Sequence, residues 1–62
     1  MLYLITMNPK YYLKDYQNKA NAWWRTLSIN EMKALEKKHK AIVINGLALK
    51  SDIAMMFEKE NP

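Results

Sequence analysis

The 62-residue chain contains no cysteine, one glycine, one histidine and one arginine. Each scarcity removes a class of chemistry. Without cysteine there are no disulfides and no thiolate metal sites. With His39 alone, a histidine-based zinc site has no second imidazole at ligand spacing. A single glycine cannot build a glycine-rich phosphate loop. The absence of cysteine fits a reducing compartment, and the expected location is cytoplasmic. No apolar run is long enough to span a bilayer. Met1–Met7 (MLYLITM) lacks the basic start and small-residue cleavage site of a secretory signal. It is expected to belong to the fold, with Met7 as an alternative start.

What is present is a helical pattern rich in aromatics: two Trp, four Tyr and one Phe, with a net charge of +4. A chain this short buries only about 60% of the surface that its unfolded form exposes, so dense aromatic packing or self-association must supply stability. The expected fold is mainly α, one compact three-helix domain over 1–62.

Asn8-Pro9 marks the start of a first helix, because Pro suits the first helical position. At 100° per residue Tyr12, Tyr16, Ala20, Trp23 and Leu27 fall in a sector of about 80°. Lys10, Lys14, Asn18, Asn21 and Arg25 cluster on the opposite side. The spacing predicts a helix from Pro9 to about Thr26. Trp24 and Leu13 lie at the stripe's edge, and Tyr11 points toward the polar face. Ser28-Ile29-Asn30-Glu31 matches the S-x-x-E capping box, with Leu27 placed to staple Met32. A second helix is predicted from Ile29 to about His39, with Ile29, Met32 and Leu35 as its apolar face.

Ala41–Ile44 is the one β-branched run, and Asn45-Gly46 after it marks a turn. It reads either as a short strand pairing with Leu2–Ile5 or as an extended connection over the helices. Ser51 is expected to cap a third helix, Asp52 to Glu60, whose apolar face is Ile53, Met56 and Phe57. Asn61-Pro62 reads as a frayed end.

No nucleophile motif, carboxylate pair or metal-ligand spacing stands out, so the chain is expected not to be an enzyme and to need no cofactor or metal. Three other readings remain. The first is a protein-interaction module with Trp24, Tyr11 and Met55 as contacts. Consecutive Trp23 and Trp24 cannot both face the core squarely, and Trp is enriched at binding hot spots. The second is a small nucleic-acid-binding protein using Lys10, Lys14 and Arg25 on the first helix, or Asn30, Lys33, Lys37 and Lys40 on the second. The third is a structural subunit of a homo-oligomer. The ordinary roles of these residues are core packing for the aromatics and solvation for the lysines.

The run WWRTLSINEMKALEKKH (Trp23–His39) resembles a W-W-[K/R]-x-L-S-x-x-E-x-x-x-L segment in small proteins of Bacteroidetes-type bacteria, their phages and mobile elements. Ser51–Asn61 is compatible with the short C-terminal helix that follows there. The resemblance implies a phage or mobile-element accessory protein and assigns it no activity; as an interaction module it would act on a host or phage complex.

Overall fold

The computed structural model describes residues 9–62. Its elements are a 3-10 turn over Pro9–Tyr12, α1 (Lys14–Trp24), α2 (Ile29–Lys38), β1 (Val43–Ile44), β2 (Leu47–Ala48) and α3 (Lys50–Glu60). The protein is mainly helical and compact, with three α-helices and one small antiparallel sheet among the described residues.

The first predicted helix is divided. Leu13, extended at φ −75° and ψ 132°, separates the 3-10 turn from α1. Its N–H still bonds the Lys10 carbonyl at 3.1 Å, and the Gln17 amide side chain donates to the Tyr11 carbonyl at 2.8 Å. The break shifts the helical phase of everything before it. Tyr11, expected on the polar face, is buried at 6% exposure, whereas Tyr12, expected in the apolar stripe, is 61% exposed. The rest of the stripe faces inward: Ala20 is fully buried, and Tyr16, Trp23 and Leu27 pack against the core. The helix also ends at Trp24, before the expected Thr26, in a turn closed by Leu27 N–H on the Trp24 carbonyl at 3.1 Å.

The core lies between α1 and α3. Tyr11, Ala20, Trp24, Ile53, Ala54 and Met56 are its buried residues. Ala20 and Ala54 are both fully buried, so small side chains admit close approach of the two helices. Around this contact runs a ribbon of rings. Tyr11–Tyr16, Tyr16–Phe57, Phe57–Trp23 and Trp23–Trp24 have centroids 6.4, 5.6, 5.6 and 5.8 Å apart. Such pairs each add about 0.5–1.5 kcal/mol beyond their buried area.

α2 is built differently. Its capping box is complete: Ser28 Oγ accepts from the Glu31 amide at 3.1 Å, and Glu31 Oε1 accepts from the Ser28 amide at 2.8 Å. Its other end closes as a Schellman motif, with Ala41 N–H on the Glu36 carbonyl at 2.9 Å and Lys40 N–H on that of Lys37 at 3.3 Å. Lys40 takes the left-handed position there, φ 53°, usually given to glycine. Yet α2 buries none of its residues. Met32 and Leu35 are half-buried against the core, but Ile29, expected beside them, is 67% exposed.

The β-branched run pairs with the segment just after the turn. Val43 opposes Ala48 and Ile44 opposes Leu47 across Asn45-Gly46, whose φ values of 55° and 82° match the two positive φ angles of a type I′ hairpin turn. The expected partner, Leu2–Ile5, lies outside the described residues. α3 starts at Lys50, two residues before the expected Asp52. Leu49, not Ser51, is its N-cap, without a side-chain bond.

Candidate functional site

Sequence order brings α2 and the hairpin to the same end of the α1–α3 pair. Three residues and the Ser28 cap separate Trp24 from Ile29, so α2 begins beside Trp24. The hairpin is anchored from the other side. Asp52, buried in the first turn of α3, accepts from the Ile42 amide at 3.0 Å, and the Leu49 amide donates to the Ile42 carbonyl at 3.0 Å.

Alternation along the ladder then decides which side chains look outward. Val43 and Ala48 share one face, where Ala48 packs on the core and Val43 stays 38% exposed. Ile42, Ile44 and Leu47 share the outer face and are 57%, 55% and 73% exposed. Ile44 and Leu47 are directly opposed, so their side chains form one apolar surface.

Between this hairpin and α2 lies an open groove of about 420 Å3. Ile29 and Met32 form one wall, and Gly46 and Leu47 the other. Trp24 and Ala48 close the floor and the largely buried Glu36 side chain belongs to the lining, while exposed Arg25 and Lys33 stand at the rim. A second depression of about 250 Å3 shares Trp24, Arg25, Leu47 and Ala48, and continues the surface toward Asn21, Lys50 and Ile53. A depression around Leu13 is lined by Lys14, Asp15, Tyr16 and Lys19. All of these come from one stretch of chain, so it lacks the second wall that the groove has.

The charges are distributed unevenly. Of the six acidic residues, five act within the protein. Glu31 caps α2, and Asp52 holds the hairpin. Glu36 faces Lys33 at 3.9 Å. Glu58 receives both the Lys10 ammonium and the Tyr11 hydroxyl. Glu60 receives Lys38 and His39, each at 2.9 Å. The Lys10 ammonium, then the Tyr11 hydroxyl, hold the Glu58 carboxyl below its ordinary range. His39, then Lys38, do the same for Glu60. The Glu58 hydrogen bond and burial push the Tyr11 phenol up to about 12. The acids at the end of α3 are thus internal fasteners. The basic surplus is left on the surface.

The residues singled out in the sequence are scattered. Tyr11 is buried and bonded to Glu58, far along α3 from the groove. Met55 is half-buried against the core. Trp24 is 9% exposed, a core residue whose remaining surface forms the groove floor. Among the basic candidates, Lys10 is engaged by Glu58 and sits 5.3 Å from the Tyr16 ring centroid. Lys14 lies in the depression beside Leu13. Arg25 and Lys33 stand at the groove rim. Asn30 and Lys37 are exposed on α2, and Lys40 lies beyond its end. Ile29 and Leu47 were missed as groove residues, and Ile42 and Ile44 as exposed neighbours of Leu47 on the hairpin. The Asn-Gly turn between apolar pairs was the available signal for the last three.

Among the described residues no helix is long and apolar enough to cross a membrane, and no three His, Asp or Glu side chains cluster closely enough to hold a metal ion. No family model matches the chain, and neither a curated protein nor a solved structure does.

Proposed function

We propose that this chain is a non-catalytic protein-interaction module whose working surface is the groove between α2 and the β1–β2 hairpin. One observation carries the reading. A helix secured at both ends by its own capping bonds buries none of its residues and stands across an open groove from the exposed Leu47 of the hairpin. Folding alone gives little reason to leave Ile29 and Leu47 about two-thirds or more in water, because apolar burial is the main favourable term available to so small a core. A contiguous exposed apolar surface rimmed by charge is the usual mark of a binding surface. The lining is mostly apolar, Glu36 is its one carboxylate, and Arg25 and Lys33 sit at the rim, an arrangement suited to apolar side chains rather than to positioning a reacting bond.

The test is site-specific photo-cross-linking in the organism of origin. A photoreactive residue at Leu47 or Ile29 is expected to capture the same protein, while one at exposed Asn18 on α1 captures none. Equal capture from all three positions, or capture only from Asn18, removes the groove from consideration.

A further inference from the structure

We infer that the groove takes an acidic amphipathic helix: a segment with apolar anchors on one face and carboxylates flanking them. This rests on the reading of the groove as a docking surface and adds the chemistry of what docks.

The shape argument comes first. Recognition by strand addition needs a free sheet edge, but β1 and β2 are two residues each, so each outer edge offers one residue's outward N–H and C=O. Proline-rich ligands dock on aromatic-lined grooves, and here the one aromatic lining residue, Trp24, is only 9% exposed. What remains is a trough with aliphatic walls from Ile29 and Met32 on one side and Leu47 on the other, continuing past Ala48 toward Ile53. That surface suits side chains projecting at i, i+3 or i+4, and i+7 from one helix face.

Charge selects the class of helix. Arg25 and Lys33 stand at the rim of the deeper part, and Arg25 and Lys50 line its continuation. The single acid on either lining is Glu36, which is half-buried and directed at Lys33. The other carboxylates that could neutralise nearby cations are bonded inside the fold at Glu31, Asp52, Glu58 and Glu60. A ligand carrying carboxylates beside its anchors meets cations along both depressions, and a cationic ligand is repelled along the same path. A second copy of this chain brings the same surplus of positive charge to the interface, which disfavours self-docking.

The experiment screens a displayed library of helical peptides. Leu, Ile or Phe is fixed at i, i+3, i+4 and i+7, and the flanking positions vary between Glu and Lys. The expected result is enrichment of Glu-rich members. Binding by a labelled winner should fall at least about tenfold on Leu47→Asp, the scale for loss of an apolar anchor. The double variant Arg25→Glu, Lys33→Glu should shift enrichment to Lys-rich members. Thermal melts by circular dichroism verify that each variant is folded. Enrichment of Lys-rich or charge-indifferent peptides with binding still lost on Leu47→Asp overturns the acidic preference while leaving the docking surface standing. Concentration-dependent dimerisation abolished by Leu47→Asp also overturns it, with a second copy as the occupant. Displacement of the winning peptide by a DNA or RNA oligonucleotide overturns it in favour of nucleic acid. Absence of any enriched peptide overturns this inference, and the separate cross-linking result decides whether the groove reading falls with it.

Discussion

The Tyr11 hydroxyl donates to the Glu58 carboxylate, which fastens the 3-10 turn before α1 to the last turns of α3. Lys10 joins the same carboxylate from the neighbouring position. Two residues later on α3, Glu60 gathers Lys38 and His39 from the end of α2. The helix that supplies half of the buried core residues thus also carries two carboxylates that hold the other elements at one end.

These pairings set the sign of the acid response. Glu58 and Glu60 both have carboxyl groups held below the ordinary value of 4.5 in the folded protein. A lowered folded pKa gives stability that is present above the unfolded value and is lost as pH falls through the folded one. Urea midpoints should therefore stay level from neutral pH to about pH 5 and fall below about pH 4.5. The double variant Glu58→Gln, Glu60→Gln should show a shallower acid limb. An acid limb of unchanged slope contradicts the assignment.

Tyr11 sets the alkaline limb. Its phenol is raised from an ordinary 10.0 to about 12, so its contribution is complete below 10.0 and is lost as pH rises toward 12. A tyrosinate absorbance titration should show a late step well above pH 10.0, concurrent with unfolding. Tyr11→Phe should remove that late step. Retention of the late step in Tyr11→Phe assigns it to another residue.

Lys40 bears a backbone cost that glycine would not. A non-glycine residue in the left-handed region costs about 1–2 kcal/mol, partly offset by the greater unfolded freedom of glycine. Lys40→Gly should raise stability by about 0.5–1 kcal/mol. A loss of stability on chemical denaturation would show that the Lys40 side chain does more than occupy the cap.

How far the sequence revealed this fold depended on whether a signal was local. The S-x-x-E box predicted the start of α2, because its two bonds join residues three apart and need no tertiary partner. The inward stripe of α1 was readable from period for the same reason. The break at Leu13 was not, since neither glycine nor proline marks it and Gln17 secures it by reaching back to the Tyr11 carbonyl. That one residue exchanged the places of Tyr11 and Tyr12. The hairpin was half legible: Asn45-Gly46 announced a turn, but Leu47-Ala48 is too short to register as a strand by period. The groove was not legible, because it needs to be known that Ile29 turns away from the core and that Leu47 stands opposite it.

α2 depends on its cap more than a buried helix would. Packing supplies most helical stability in proteins, and this helix buries no residue. Ser28→Ala should cost about 1 kcal/mol, within the usual range for cap loss. The effect should be local: amide hydrogen exchange in Ile29–Lys38 should accelerate, with exchange in α1 and α3 little altered. Uniform acceleration across all three helices would mean that α2 opens only with the whole fold.

The groove makes a prediction about stability as well as binding, because it separates apolar side chains that fold the protein from those that do not. Met56 is fully buried between the helices, and Met56→Ala should cost about 2–5 kcal/mol through lost burial and the cavity left behind. Leu47 is 73% exposed, so Leu47→Ser should fall within about 0.5 kcal/mol of the unmodified chain. Both are large apolar residues, and composition alone would treat them alike. If chemical denaturation gives Leu47→Ser a cost above about 1 kcal/mol, the outer face of the hairpin belongs to the folding core, and the reason for assigning it a partner disappears.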